Sequence, residues 1–246
     1  MFLCRKTQRR GAVPRGMAVP ACEGSGIPSG TPLEEIGIVP HGDVHWNLSA
    51  NDLIDLATIR GEGVLSTHGA LVTETGERTG RSPNDKFIVE ESGSSEHINW
   101  GKVNVSTTEE VFNGLKQKII AYLSDQDALF VQDLFCGADH DVRLPIRVIS
   151  QNAWHAAFAR NMFVRPSDED LKSHKHGFVV LHAPHFVADP VIDGVNSGAF
   201  VIVNYAEKTV LIGGTRYAGE IKKSIFSVMN YNLPLKGILP MHCSAN

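Results

Sequence analysis

The sequence predicts an α/β fold with a mixed β-sheet and flanking helices. The chain has 246 residues, of which 42% are hydrophobic and 20% charged, so it can bury a sizeable core. Short β-branched and apolar segments bounded by Gly, Pro and Asn alternate with segments of helical periodicity. Some predicted strands follow one another directly and others are separated by a helix, which favours a mixed sheet over a regular parallel one.

The elements can be assigned in order along the chain. A strand is predicted from Phe87 to Glu90, and a helix should run from the capping box Thr107–Glu110 to about Leu123. A short Ala-rich helix capped by Asn152 should extend through Asn161. Further strands are predicted at residues 128–135, 143–149, 178–182, 199–204 and 209–213. A last helix should begin near Gly219, with a buried side formed by Ile221, Ile225, Val228 and Met229.

Residues 1 to about 30 differ in charge from the rest of the chain. The only charged residues before Glu23 are basic ones, Arg5, Lys6, Arg9, Arg10 and Arg15. This pattern is typical of a mitochondrial transit peptide or of a disordered tail. Pro14 and Gly16 interrupt any amphipathic helix, which favours the tail. Met17 is an alternative start.

The net charge and the cysteine content indicate which kind of partner the protein binds and in which cellular compartment it is found. The net charge of −4 offers no broad basic field for nucleic acid or an acidic membrane, so a small-molecule or protein partner is expected. The sequence contains no apolar stretch of about 18 residues, the length that crosses a bilayer. The cysteines are scattered, without metal-knuckle spacing, at positions 4, 22, 136 and 243. We therefore expect a soluble, cytoplasmic protein, or a mitochondrial one if the tail is a transit peptide.

Arg81 is the first candidate for a functional residue. It lies between Gly80 and the turn residues Ser82 and Pro83, just before a predicted strand. A guanidinium held on a short turn can bind a carboxylate through two parallel hydrogen bonds, which a lysine does less well. From spacing alone, a β-turn with a solvated arginine is the more economical interpretation.

Two adjacent lysines, Lys222 and Lys223, form the second candidate. They fall in the first turn of the predicted last helix, where the helix dipole and their mutual repulsion both disfavour the charged ammonium. A lysine shifted toward its neutral form can act as a base or donate its lone pair to a metal. The alternative is that both ammonium groups extend into water at little cost.

Histidines supply further candidates. His242 could ligate a metal, and His182 with His185 could form a metal-binding pair, although packing or capping roles are more common. Cys243 next to His242 suggests zinc, but adjacent residues do not have the spacing of zinc ligands.

Several segments together resemble the ATP-dependent phosphoenolpyruvate carboxykinases, and the resemblance is close from about Gly61 to Asn246. The segments that carry it are Arg60–Gly63, Gly80–Pro83, Val131–Asp139, Asn161–Pro166, Tyr217–Tyr231 and Pro240–Asn246. The resemblance implies the N-terminal domain of the phosphoenolpyruvate carboxykinase fold. It assigns residues 31–246 to the substrate-binding domain running into the start of the catalytic domain. It also implies a role in gluconeogenesis, with oxaloacetate, phosphoenolpyruvate, CO2 and ATP as small-molecule partners.

The same resemblance implies a role for each candidate. Arg81 is similar to the arginine that binds the substrate carboxylate or CO2, and Tyr217 to the tyrosine that contacts the phosphoenolpyruvate or CO2 end. Lys223 is similar to the neutral lysine that ligates Mn2+, and His242 to the histidine ligand of the same ion, near the terminal phosphate of the nucleotide. A second ion, Mg2+, would accompany ATP. Since a shared ion brings its ligands together, Lys223 and His242 should approach to about 5 Å or less.

The sequence also departs from the family pattern. Asn84 stands in place of a lysine between Pro and Asp, and Glu77 and Arg78 replace an apolar or aromatic residue, so the loop should pack differently there. The family pattern continues into a Gly-rich loop with Lys-Thr, an aspartate ligand of Mn2+ and a second substrate arginine, none of which is among these 246 residues. We therefore expect no turnover from the chain alone. The alternative is a non-catalytic domain that binds a dicarboxylate, or a remnant.

Overall fold

The computed structural model describes residues 31–243. The predicted N-terminal tail and the segment Ser244–Asn246 lie outside these residues. The described part is a mixed α/β structure, as predicted, built on an eight-stranded sheet and a separate two-stranded hairpin. No helix in the described part of the chain is long and apolar enough to cross a membrane.

The described residues form ten strands and six α-helices, joined by turns and loops. The strands are β1 (Asp43–Trp46), β2 (Gly63–Leu65), β3 (Leu71–Thr73), β4 (Lys86–Val89), β5 (Val105–Thr107), β6 (Ala128–Cys136), β7 (Leu144–Ser150), β8 (Phe178–Ala183), β9 (Phe200–Asn204) and β10 (Thr209–Gly213). The α-helices are α1 (Ala50–Ile59), α2 (Glu109–Ser124), α3 (Ala153–Met162), α4 (Asp168–Ser173), α5 (Pro190–Asp193) and α6 (Gly219–Asn232). Short 3-10 turns include Pro83–Asp85, directly before β4.

The strand order in the large sheet is β1-β6-β7-β8-β10-β9-β4-β5. β9 runs antiparallel to β10 but parallel to β4, so the first residues of β4 lie at the edge of the sheet where β10 ends. Every residue of β8, β9 and β10 is buried. This burial explains their continuous apolar sequences, because both faces of the central strands are covered by helices.

The two faces of the sheet have separate cores. Helix α2 packs on one face through a set of fully buried side chains that includes Phe112, Leu115, Ile119 and Leu123. Helix α6 packs on the other face through Ile221, Ile225 and Val228, beside a third cluster contributed by α1 and α3. The buried side predicted for the last helix is therefore confirmed.

The predicted elements are present, with corrections at their ends. The capping box predicted at Thr107–Glu110 is wrong: Thr108 is the N-cap of α2, and its hydroxyl accepts a hydrogen bond from the Val111 amide. Asn152 occupies the N-cap position of α3, but its side chain makes no capping hydrogen bond and contacts His185 instead. The strand predicted at residues 143–149 is displaced by one residue. No strand or helix was predicted for β1, α1, the β2–β3 hairpin, β5, α4 or α5.

Candidate functional site

The connection between β10 and α6 forms the floor of the site. Gly214 has a φ of +67°, and a Cβ at this position would lie 2.0 Å from the carbonyl oxygen of Gly198, so only glycine fits. Tyr217 follows, half-buried, with its amide donating to Thr215 Oγ1 at 3.2 Å. Its ring lies so close to Gly219 that a Cβ there would be 2.4 Å from Tyr217 Cε1. Backbone packing thus fixes the place of Tyr217.

The turn that carries Arg81 is attached to helix α6 at two points. The backbone amide of Ser82 donates to Glu220 Oε1 at 2.7 Å, and the carboxylate is buried. Farther along the chain, at the first residue of β4, Lys86 Nζ donates to Ser227 Oγ at 2.6 Å. Arg81 itself is exposed. The turn therefore presents its guanidinium to solvent from a backbone that is held in place.

Arg78, one of the departures from the family pattern, stabilises the same turn from within. Its guanidinium donates to Asp85 Oδ2 at 3.2 Å and to Ser197 Oγ at 2.8 Å. Ser197 Oγ in turn donates to Asp85 Oδ1 at 2.8 Å, so the buried carboxylate is bonded through both oxygens. Polar contacts hold the loop here, where the family pattern has an apolar or aromatic residue.

Lys223 and His242 meet on the exposed side of α6. Lys223 Nζ lies 2.6 Å from His242 Nε2, although the two residues are separated by 19 positions. The predicted proximity of these side chains is observed. Because a hydrogen bond between two nitrogens needs a lone pair on one of them, at least one of the two groups is neutral in this arrangement.

Phe226, one turn along α6 from Lys223, lies beside both groups. Its ring centroid is 5.3 Å from Lys223 Nζ and 5.2 Å from the centroid of the His242 ring. An aromatic face at this distance attracts an ammonium weakly and restricts where the imidazole can lie. No motif or spacing in the sequence singled out Phe226 for such a role.

The electrostatics of the site favour an anionic ligand. Partial burial, then the charges of Lys222 and Arg81, lower the pKa of Lys223. Burial and the charge of Arg81 also lower the pKa of Lys86, against an opposing effect of Glu220. Since Arg81 affects both lysines, the turn and the helix form one positive region. A carboxylate or phosphate bound there would relieve the repulsion among these cations.

His182 and His185, the other predicted metal pair, each contact a different polar side chain. His182 Nδ1 lies 3.0 Å from Ser150 Oγ. His185 Nε2 lies 3.3 Å from the side-chain nitrogen Nδ2 of Asn152. Cys243 is a free, exposed thiol. Within residues 31–243, no three His, Cys, Asp or Glu side chains are grouped as a metal site.

Several residues that shape the site escaped prediction from the sequence. Glu220, Lys86 and Ser82 act through contacts between distant parts of the chain, which no local pattern reveals. Ser227 is one helical turn from Lys223 and donates to the Lys223 carbonyl oxygen at 3.0 Å. In the sequence, Ser227 could be linked to the site only by its spacing of four residues from Lys223, which places both residues on the same face of a helix.

Comparisons with known proteins all point to the same family. The sequence profile of the phosphoenolpyruvate carboxykinase family matches residues 42–246. The chain is 53% identical over 203 residues to phosphoenolpyruvate carboxykinase (ATP) of Brevibacillus brevis, a match covering 82% of this chain and 38% of that protein. It is 51% identical over 220 residues to the protein of the same name from Geobacter sp. strain M21, covering 89% of this chain and 41% of the relative.

A third relative, phosphoenolpyruvate carboxykinase (ATP) of Bacillus subtilis, is 52% identical over 204 residues, covering 83% of this chain and 39% of that protein. The chain thus spans about two fifths of the length of the curated relatives it matches. The family profile covers far more than half of the chain and includes every residue of the site described above. The chain belongs to the ATP-type phosphoenolpyruvate carboxykinase family.

Proposed function

We propose that this chain supplies the substrate site and part of the metal site of an ATP-dependent phosphoenolpyruvate carboxykinase. The reaction converts oxaloacetate and ATP to phosphoenolpyruvate, CO2 and ADP. The observation that carries the proposal is the 2.6 Å contact between Lys223 Nζ and His242 Nε2 in the positive region that contains Arg81. Family membership supports it independently. In this proposal, residues 31–246 form the substrate-binding domain and the beginning of the catalytic domain.

Arg81 binds a carboxylate of the substrate in this proposal. Its guanidinium is exposed, and the turn that carries it is anchored to Glu220 and Ser227. A planar guanidinium with two parallel N–H groups aligns a carboxylate in one orientation, which a lysine cannot do. Anchoring the turn before the ligand arrives reduces the entropy lost on binding.

Tyr217 contacts the end of the substrate that becomes CO2. Gly214 and Gly219 fix the backbone on both sides of it, and its half-buried ring lies over Gly219. A phenol can donate one hydrogen bond and accept another, so it can orient a carboxylate or a CO2 molecule beside the guanidinium. The two residues together hold the departing carboxylate in a defined direction relative to the enolate.

Lys223 and His242 fit a divalent ion such as Mn2+. The amine of a lysine with lowered pKa and a neutral imidazole nitrogen are both lone-pair donors, and they point to the same place. When bound, Mn2+ would stabilise the negative charge of the enolate and of the phosphate oxygens, and Mg2+ would accompany ATP. Two protein donors leave further ligand positions to substrate, water or other side chains.

The positive region acts on charge that develops during the reaction. Loss of CO2 from oxaloacetate leaves an enolate, whose oxygen then attacks the terminal phosphate of ATP. Lys222 and Arg81 present positive charge to this side of the site before the reaction begins. Charges that are already oriented stabilise a developing anion without reorganisation, which is the largest contribution in many enzymes.

The test combines metal binding with turnover. Mn2+ binding to the chain is followed by the loss of the electron paramagnetic resonance signal of free Mn2+, for the natural sequence and for Lys223→Met and His242→Asn. Each substitution should weaken binding at least tenfold, since second-shell changes alone reduce affinity by about 10- to 100-fold. Lys102→Met and His140→Asn change exposed residues elsewhere and serve as matched controls.

Formation of phosphoenolpyruvate from oxaloacetate and ATP is then measured with the complete expressed protein. Equal Mn2+ affinity in all variants would contradict the metal site. Binding of oxaloacetate that depends on Arg81, without any turnover in the complete protein, would instead favour the non-catalytic dicarboxylate-binding domain. Turnover that is lost in Lys223→Met and His242→Asn but kept in the controls would support the proposed enzyme.

A further inference from the structure

Two buried histidines lie directly beneath the connection that carries Tyr217. His155 is on α3 and His182 is on β8, and neither side chain is exposed to solvent. Their ring centroids are 4.3 Å apart in an edge-to-face arrangement. The ring of Trp154 also packs against that of His155, at 3.6 Å between centroids. Both imidazoles are therefore held in one orientation by packing.

His155 contacts the connection directly. His155 Nε2 lies 2.9 Å from the carbonyl oxygen of Arg216. Because a carbonyl can only accept, His155 carries its proton on Nε2 and donates it to Arg216. The ring of His182 also interacts with the backbone of Thr215, although its Nε2 makes no hydrogen bond of ordinary geometry among the described residues. Its Nδ1 lies 3.0 Å from Ser150 Oγ.

The surroundings keep both rings neutral. Burial, followed by the positive charges that His182, His185 and Arg216 can carry, lowers the pKa of His155 well below its usual value, against the opposing effect of its bond to Arg216. Burial lowers the pKa of His182 to about 3. His155 Nδ1 has no hydrogen-bond partner among the described residues, so a second proton there would be buried without an acceptor.

Thr215 and Arg216 directly precede Tyr217 in the chain. The Thr215 hydroxyl accepts from the Tyr217 amide, so a shift of this backbone would move the tyrosine with it. We propose that His155, packed edge-to-face against His182, is a positioning residue that holds the 214–218 connection and thereby sets the place of the Tyr217 ring. The consequence for catalysis rests on the proposed function, whereas the effect on the Tyr217 ring does not.

Fluorine NMR of the chain tests the effect on the ring directly. The chain has four tyrosines, so labelling with 3-fluorotyrosine gives four expected signals, and Tyr217→Phe identifies the signal of Tyr217. His155→Leu removes the donor to Arg216 and should shift or split the Tyr217 signal while leaving the other three in place. His155→Gln can still donate to Arg216 and should retain the natural signal.

His174→Leu is the matched control. His174 is also buried, and its Nε2 lies 3.2 Å from a backbone carbonyl, that of Leu134. Its replacement should lower stability without moving the Tyr217 signal. An unchanged Tyr217 signal in His155→Leu, or an equal change in His174→Leu, would overturn the proposal. If His155→Leu does not fold, His155→Asn, which is polar but too short to reach Arg216, provides the same comparison.

The catalytic consequence is measured separately with the complete expressed protein. His155→Leu should lower kcat/KM about tenfold, equivalent to 1.36 kcal/mol, with most of the loss in KM for the substrate, and His155→Gln should restore it. If the natural protein shows no turnover, the proposed function fails, and the NMR comparison still decides the positioning role. A changed Tyr217 signal with unaltered kinetics would overturn only the catalytic consequence.

Discussion

At the scale of single residues, the site depends on side chains whose neighbours change their ordinary chemistry. Lys223 is the clearest case, because partial burial, Lys222 and Arg81 lower its pKa while His242 lies 2.6 Å away. The sequence indicated this lysine through a local conflict, since two adjacent cations in a first helical turn oppose the helix dipole. Arg81 had no such local signal, and only the family resemblance separated it from a solvated turn residue.

Arg81→Lys should raise the KM for oxaloacetate in the complete expressed protein by about tenfold or more, because paired hydrogen bonds are replaced by a single point charge. The change keeps the positive charge, so a purely electrostatic role predicts little effect. Steady-state kinetics with oxaloacetate as the varied substrate measure the difference. Arg165→Lys, at another exposed arginine, is the control. Unchanged KM and kcat would exclude Arg81 from substrate binding.

Gly214→Ala tests whether the connection before Tyr217 tolerates a side chain. The substitution adds both the strain of a positive φ and a clash at 2.0 Å with the carbonyl oxygen of Gly198. Gly61→Ala separates the two effects, because Gly61 has a φ of +69° but nothing within 4 Å of the added Cβ. Strain alone should cost about 1–3 kcal/mol in Gly61→Ala. Urea unfolding should show a larger loss in Gly214→Ala, and equal losses would mean that the clash is relieved.

At the scale of elements, the site exists because strands distant in sequence are neighbours in the sheet. β9 lies between β10 and β4 in the sheet. It runs antiparallel to β10 and parallel to β4, and for this reason β4 begins where β10 ends. Periodicity and turn residues predicted most of these strands individually, but they carry no information about which strands pair. The contacts of Ser82 with Glu220 and of Lys86 with Ser227 therefore could not be predicted from the sequence.

The return of the chain to Lys223 has a similar explanation. From Lys223 to the end of α6 at Asn232 the helix rises about 13 Å, at 1.5 Å per residue. The segment after Gly237 runs back beside the helix, and His242 reaches the side chain of Lys223. The resemblance to the family predicted this proximity, whereas the spacing of the two residues alone did not.

Glu220→Ala should release the turn that carries Arg81 from α6. The Ser82 amide would lose its acceptor at a buried position, which costs about 1–3 kcal/mol. Hydrogen exchange should become faster at Ser82 and its neighbours in the turn, with little change in β10. Glu220→Gln keeps an acceptor oxygen and should preserve most of the protection. Equal exchange in the natural chain and in Glu220→Ala would show that Lys86 and Ser227 are sufficient to hold the turn.

At the scale of the whole molecule, a buried ion pair joins two strands of the sheet. Arg147 and Asp133 face each other on β7 and β6, with Arg147 Nε 2.8 Å from Asp133 Oδ1 and Nη2 3.3 Å from Oδ2. Neither side chain is exposed. The pair could not be predicted from an alternation of polar and apolar residues, because β6 and β7 are buried along most of their length.

Arg147→Met should destabilise the chain by about 3–5 kcal/mol, because it leaves the charge of Asp133 buried without its cation. Arg143→Met is the comparison: Arg143 also pairs with an aspartate, Asp170 at 2.9 Å, but both side chains are more accessible to water. The Arg143→Met variant should lose much less stability than Arg147→Met. The free energies of unfolding in urea give both values, and similar losses in the two variants would mean that Asp133 gains access to solvent when Arg147 is replaced.

The buried histidines predict how the stability of the whole chain depends on pH. The pKa of His182 is lowered to about 3 in the folded state, and that of His155 is also lowered well below its usual value, with burial as the main cause for both. The unfolded chain binds protons at these residues below about pH 6.5, whereas the folded chain does not. Stability should therefore be constant above this pH and fall as the pH decreases toward 3.

The expected loss is about 1 kcal/mol per pH unit for each of the two histidines. Urea unfolding between pH 7.5 and pH 5, in roughly half-unit steps, measures it in a range where carboxylates contribute little. His182→Asn should flatten the dependence, because one of the proton-binding differences disappears, even though the variant is less stable throughout. His140→Asn, at an exposed loop position, controls for the loss of a histidine as such. A natural chain whose stability did not change over this interval would mean that the histidines are accessible to protons in the folded state, and the close packing of Trp154, His155 and His182 would then not describe the molecule in solution.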